Sequence, residues 1–222
     1  MTKIIYLLMS GLFFISGAAM AIEEPNYSVL SQVNDFELRR YDEQIVAQTW
    51  VTGDQKSASR EGFKILADYI FGNNTAAIGE SSKISMTAPV TMQSEATQPE
   101  SKKGSDDKSQ KIAMTAPVSI QQADNKWLVQ FTMPHQYTME TLPKPNNAAI
   151  TIKKVPAQNY GVIKFSGLAG SKKVAENTKK LQSWMQEQQL AMTSAAELAR
   201  YNPPWTLPFM RRNEMMIAYQ PK

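Results

Sequence analysis

A period-two alternation of apolar and polar residues recurs from Tyr27 almost to the last residue, and it constrains this chain more than any other feature. Phe36, Leu38 and Arg40 alternate with Glu37, Arg39 and Tyr41; Val46, Gln48 and Trp50 alternate with Ala47, Thr49 and Val51. Successive side chains of a strand point to opposite faces, so this pattern predicts strands. The first two are expected to pair antiparallel, turning near Asp42-Glu43. Trp127, Val129, Phe131 and Met133 predict another strand, closed by Pro134. Ile150 and Ile152 predict a further one, as do Tyr160, Val162 and Lys164 set against Ile163 and Phe165. A last strand runs through Met215, Ile217 and Tyr219.

Two segments break the alternation. Between residues 57 and 71, Phe63, Leu66, Ala67 and Ile70 fall at i, i+3, i+4 and i+7, which places them on one helical stripe. Ser57 or Ser59 is the expected cap, and Gly72-Asn73-Asn74 the expected stop. Between residues 171 and 189, Val174, Thr178, Leu181, Trp184 and Met185 form the inner face of a second helix. Many short strands with two helices predict an α+β domain with a curved or closed antiparallel sheet. The order, two strand–helix–strand halves, hints at a duplication.

A short repeat lies between the halves. KISMTAPV at residues 83–90 returns as KIAMTAPV at 111–118. Each copy reads as a strand whose proline belongs at an edge, bulge or end, because it cannot donate to a ladder. The two copies are expected to pair as a long hairpin. Residues 93–110 between them are polar, rich in Lys, Ser and Asp, and without aromatics. That composition cannot bury a core and predicts a mobile loop.

The first 21 residues have the layout of a secretory signal: Lys3, an apolar run over residues 4–15, then Ala19-Met20-Ala21. The run is shorter than the roughly 20 helical residues that span a bilayer, so stable membrane insertion is not expected. The mature domain is expected to span residues 22–222 and to be periplasmic or secreted. About 200 residues suffice for one domain with a sizeable core, expected to be a monomer. The formal charge of +4 becomes +3 without Lys3, and the lysine pairs are scattered along the chain. Neither fact favours a nucleic-acid partner. There is no cysteine and one histidine, His135. This excludes a disulfide framework, thiolate metal sites and covalent haem attachment through C-x-x-C-H.

The phrases RRYDEQIVAQTW, GFKILADYIFGNN, KISMTAPV, KIAMTAPV, FTMPHQYTMETLPKP, FSG and ARYNPPWTLPFMRRNE occur in that order over nearly the whole mature chain. Together they resemble the SOUL family of haem-binding proteins. The resemblance implies a twisted, eight-stranded antiparallel β-barrel of two pseudo-repeats flanked by two α-helices. It also implies non-covalent binding of haem or a related tetrapyrrole, without an enzymatic reaction common to the family. Carried over by motif, the porphyrin surface comprises Arg60, Phe63, Leu66 and Ala67 on the first helix. The facing loop, residues 202–209, contributes Trp205, Thr206 and Phe209. A flat apolar wall and a cation for the propionates suit such a ligand. Asp68 departs from that logic, since its charge would repel a propionate.

Other roles weigh less. His135 follows a strand-ending proline and reads as an exposed loop residue before it reads as an iron ligand. Met86 and Met114 recur at one position of the repeat and read as core rather than as a thioether pair. In Arg211-Arg212-Asn213-Glu214, the expected role is structural, with Glu214 pairing an arginine such as Arg39 or Arg40. No G-x-S-x-G elbow is present, and the residues cannot build a usual zinc site. The expected function is hydrophobic capture of haem. The alternatives are a general site for apolar small molecules, or a carboxylate-dependent hydrolase using a residue such as Glu37, Glu61, Asp68 or Glu214.

Overall fold

The alternating segments become strands of one sheet in a computed structural model that describes residues 23–76, 81–94 and 126–221. The chain enters through β1 (Tyr27–Val33), β2 (Phe36–Tyr41) and β3 (Gln44–Thr52), followed by helix α1 (Gln55–Ile70). Then come β4 (Asn74–Thr75), β5 (Val90–Ser94), β6 (Lys126–Thr132), β7 (Lys144–Pro145), β8 (Thr151–Val155) and β9 (Gln158–Ser166). Helix α2 (Ser171–Glu187), β10 (Ala191–Met192), β11 (Glu197–Arg200) and β12 (Arg212–Gln220) complete it. The strands join antiparallel in the order β1-β2-β9-β12-β11-β5-β6-β3-β8, with β10 on β12 and a separate β4–β7 pair. The result is the expected α+β architecture, a curled half-barrel with nine strands along its path and two helices.

The strands around Asp42-Glu43 form as expected but do not pair with each other. Strand β2 lies between β1 and β9, and β3 between β6 and β8. The tight hairpin sits one strand earlier, where Asn34 adopts φ 54° between β1 and β2. Asparagine tolerates this left-handed turn geometry, which the Asp42-Glu43 connection does not adopt.

The alternation resolves into two cores. Ala47, Val51, Val129, Phe131, Met215 and Ile217 face the helices, where they meet Leu66, Ile70, Leu181 and Met185. On the opposite face, Tyr41, Tyr160, Val162, Ala199, Tyr201 and Met216 pack on one another. Helix α1 lies on β3 and β6, and α2 on β9 and β12. Each approach needs a glycine. A Cβ on Gly62 would stand 2.5 Å from Val129 Cγ2, and one on Gly161 would stand 2.5 Å from Met185 Sδ.

Helix α1 begins two residues before the expected start. Asp54, not Ser57 or Ser59, caps it by accepting from the backbone N–H of Lys56 and Ser57. Its carboxylate satisfies two otherwise orphaned donors and takes the Ser57 hydroxyl as well. The helix ends at Phe71, and Gly72 then takes φ 124°. Residues 83–86 of the first repeat copy lie outside regular structure, and Pro89 precedes β5, the strand-end position expected for it. Met86 is half-buried against the helix-side core. The polar segment starts later than expected. Gln93 is a buried β5 residue because its amide donates to the Ala195 carbonyl at 3.2 Å. The leader, the second repeat copy with Met114, the repeat hairpin and residues 95–110 lie outside the described residues.

Candidate ligand-binding surface

Close packing at Gly62 leaves its neighbour Phe63 on the flank of α1. The Phe63 ring meets Phe131 edge-on, centroids 5.4 Å apart, and stays 38% exposed. Arg60, one turn earlier, is exposed, whereas Leu66 and Ala67 are buried in the core. A ligand on this surface therefore meets Arg60 and Phe63, and Leu66 and Ala67 back the wall. Asp68 lies five residues beyond Phe63, about 140° around the axis. Its carboxylate accepts from the Asn73 amide at 2.6 Å, which directs the charge to the C-terminal end of the helix.

The second segment is the β11–β12 connection. Arg200, at the end of β11, donates to Ser59 Oγ on α1 at 2.7 Å and to the Ala169 carbonyl at 3.3 Å. This ties the base of the loop to α1 one turn before Phe63. The loop is then clamped at its neck. Asn202 Oδ1 accepts from the Arg212 N–H at 2.7 Å, and Arg211 donates to the carbonyls of Thr206 and Pro204. A single 3-10 turn, Pro208–Met210, closes it. Thr206 is half-buried within the clamp, and the apolar side chains point to solvent. Trp205 is 83% exposed and Phe209 73%, beside exposed Leu207 and Met210. Leu168, in the β9–α2 connection, is exposed too.

Glu214 explains why this neck is firm. Its carboxylate accepts from Arg39 Nη1 at 2.8 Å and Nη2 at 3.0 Å, and from the Tyr201 hydroxyl at 2.6 Å. Arg212 reaches the same carboxylate at 3.0 Å, stacks on the Tyr201 ring and bonds Glu24. Burial pushes the Glu214 carboxyl up, but Arg39, Tyr201 and Arg212 outweigh it and hold it below the usual range. Burial raises Tyr201 far above an ordinary tyrosine, and the Glu214 charge adds to the effect. Asn213 donates to the Gly167 carbonyl at 2.9 Å, which fixes the connection that carries Leu168. The expected structural role of Arg211-Arg212-Asn213-Glu214 is thus met, with Arg39 rather than Arg40 as partner.

His135 is an exposed loop residue whose Nδ1 lies 2.7 Å from Glu23 Oε1. Glu23 also accepts from the His135 N–H. The neighbouring Glu24 bonds Arg212, so His135 belongs to the string of contacts that reaches the loop neck. Among the described residues no three His, Cys, Asp or Glu gather where they could hold a metal ion. The sequence reading missed Arg200 and Leu168. An arginine at a strand end and a leucine after a glycine carry no periodic signal of their own.

The sheet thus carries both helices on one face, and an apolar loop is clamped between β11 and β12. The sequence matches the SOUL heme-binding protein family over residues 22–105 and 102–218, and this chain belongs to that family. The family is one of haem binding and generally non-enzymatic. No curated protein matches the chain. Among solved structures it is similar to the EcmrR C-terminal domain, at 12% identity and TM-score 0.55, covering 88% of this chain and 99% of that one. A hydrolase from Listeria innocua is similar at 10% identity and TM-score 0.52, covering 86% and 94%. At such identities the likeness is one of fold. Among the described residues no helix is long and apolar enough to cross a membrane.

Proposed function

We propose that this protein captures haem or a related tetrapyrrole non-covalently between the Arg60–Phe63 flank of α1 and the Trp205–Phe209 loop. Family membership supports the ligand class. The observation that carries the location is the firmly clamped loop. Large apolar side chains left 55–83% exposed on a surface loop are costly to maintain unless they are covered at work. Trp205, Leu207 and Phe209 are flat or apolar, as a porphyrin face requires, and Arg60 is a cation within reach of a propionate on the Phe63 side of the helix. Hydrophobic contact supplies the affinity, with weak axial ligation or none. The protein acts as a binder and not as a catalyst, as a monomer, after export through cleavage following Ala21 to the periplasm or beyond. His135 remains the candidate for any iron ligand.

The test is a haem titration that follows the Soret band and Trp fluorescence, alongside Phe63→Ala, Trp205→Ala and His135→Ala. The expected result is a saturable shift that survives His135→Ala and weakens in the other two. Loss with His135→Ala alone would move the site to the loop after β6. No saturable change would reject haem and favour another apolar ligand on the same surface.

A further inference from the structure

The face away from the helices holds a second feature that the ligand surface leaves unused. A cavity of about 40 Å³ lies among Pro25, Tyr41, Pro89, Tyr160, Glu197 and Met216. Glu197 starts β11 opposite Met216 of β12 and Gln93 of β5, so the pleat sends it to the face away from the helices with them. Two other acids on that side are neutralised: Glu37 by Arg39 and Lys164, and Glu214 by Arg39 and Arg212. Glu197 has neither a hydrogen bond nor an ion pair among the described residues. Burial alone pushes its carboxyl up to about 7.

The rest of the lining leaves that carboxylate as the free acceptor. Thr132 donates to Gln44, and Thr91 to Gln130, whose amide donates to Gln48. The Tyr41 hydroxyl accepts from Arg39 and the Tyr160 hydroxyl donates to Gln158. The Tyr41 and Tyr160 rings meet edge to face at 5.5 Å, which gives the cavity an aromatic wall. An anionic oxygen beside tyrosine rings, in a space otherwise closed by Val, Met and Pro and by Thr and Gln side chains that hydrogen-bond to glutamines, suits a cation. A hard metal ion would need a cage of several oxygens, which one carboxylate does not provide. The volume, about that of one or two water molecules, admits the head of an amine but no porphyrin.

We propose that the Glu197 cavity is a binding site for a primary ammonium group, the head of a small amine. Glu197 accepts its N–H donors and the tyrosine rings flank its charge. Tyr41 and Tyr160 are the titratable groups that face it, and both stay neutral near pH 7 because burial raises them. Binding therefore follows ionisation of Glu197: present at pH 8 and weak at pH 5.

The test uses methylammonium chloride on the purified protein at pH 8, with sodium chloride and tetramethylammonium chloride at equal ionic strength. Methylammonium is expected to bind saturably and to raise Tm by about 5–11 °C at a hundredfold excess over Kd. Neither control salt should do so, and Glu197→Gln should abolish the effect. Carboxyl-carbon NMR of the wild type offers a readout that needs no variant. The Glu197 pKa should fall by half a unit or more with methylammonium. An equal response to sodium, retention in Glu197→Gln, or an unmoved Glu197 carboxyl would each overturn the proposal.

Discussion

Arg39 and Glu214 form a two-pronged ion pair, 2.8 and 3.0 Å, between residues 175 positions apart, and neither side chain has any exposure. The pair joins β2 to β12 across β9, so it ties the first part of the chain to the last on the face away from the helices. Arg39 also donates to Glu37 at 2.6 Å and to the Tyr41 hydroxyl at 2.8 Å. One guanidinium thus organises two other residues of its own strand and the start of the final strand.

Removing one partner should cost more than removing both. Arg39→Met leaves buried Glu214 with only Arg212 and Tyr201, and Glu37 with only the half-exposed Lys164, and a loss of about 3 kcal/mol is expected. Arg39→Met with Glu214→Leu replaces the charges by packing surface and should recover much of it. Urea unfolding of the single and double variants reads the difference; equal destabilisation by both would show that the pair is not coupled.

Two opposite pH effects are expected on stability. Glu37 and Glu214 are held below the ordinary carboxylate range, so their contribution is present above about pH 4.5 and lost as pH falls through their folded values. Glu197 works the other way. Its folded carboxyl, at about 7, binds the proton more tightly than in the unfolded chain. Stability is therefore full below about pH 4.5 and declines as pH rises to 7, by about 1–3 kcal/mol. Urea midpoints between pH 5 and 8 should fall for the wild type and stay flat for Glu197→Gln. A wild-type profile that rises over this range would contradict the assignment.

Alanine at Gly62 gains about 1 kcal/mol of helix propensity but drives its Cβ into a β-branched side chain. Val129 Cγ2 at 2.5 Å cannot rotate away in a packed core, so a net loss of about 1–3 kcal/mol is expected. Gly161→Ala meets the flexible end of Met185 and should cost less. Thermal melts of both variants, with Val129→Ala as a rescue for Gly62→Ala, check the ranking.

What the sequence made legible follows from how local each signal is. Strand and helix positions rest on periodicity within a few residues, so β2, β3, β6, β9, β12 and both helices were readable. Strand partners depend on long-range pairing, and the supposed β2–β3 hairpin failed for that reason. The weak Asn34-Asp35 turn and the distant β9 decided it. Glu214 was readable as a structural acid because it sits in an alternating strand and buried charge demands a partner. Glu197 gave no warning. Its peculiarity is the lack of a hydrogen-bonding or ionic partner among the described residues, and no spacing in the chain records that.

Arg211 is expected to position the ligand loop without touching the ligand. Its guanidinium holds the carbonyls of Thr206 and Pro204, on either side of Trp205. Lysine keeps the charge but loses the fork that serves both acceptors. Arg211→Lys should therefore leave Tm within about 2 °C, because the loop lies outside both cores. Trp205 should gain mobility, seen as lower fluorescence anisotropy. The cost of ordering the loop then falls on binding, and haem affinity should drop about 3- to 10-fold. The same loss with unchanged Trp205 anisotropy would assign Arg211 to direct contact with the ligand. Unchanged affinity with a mobile Trp205 would place the ligand elsewhere on the fold.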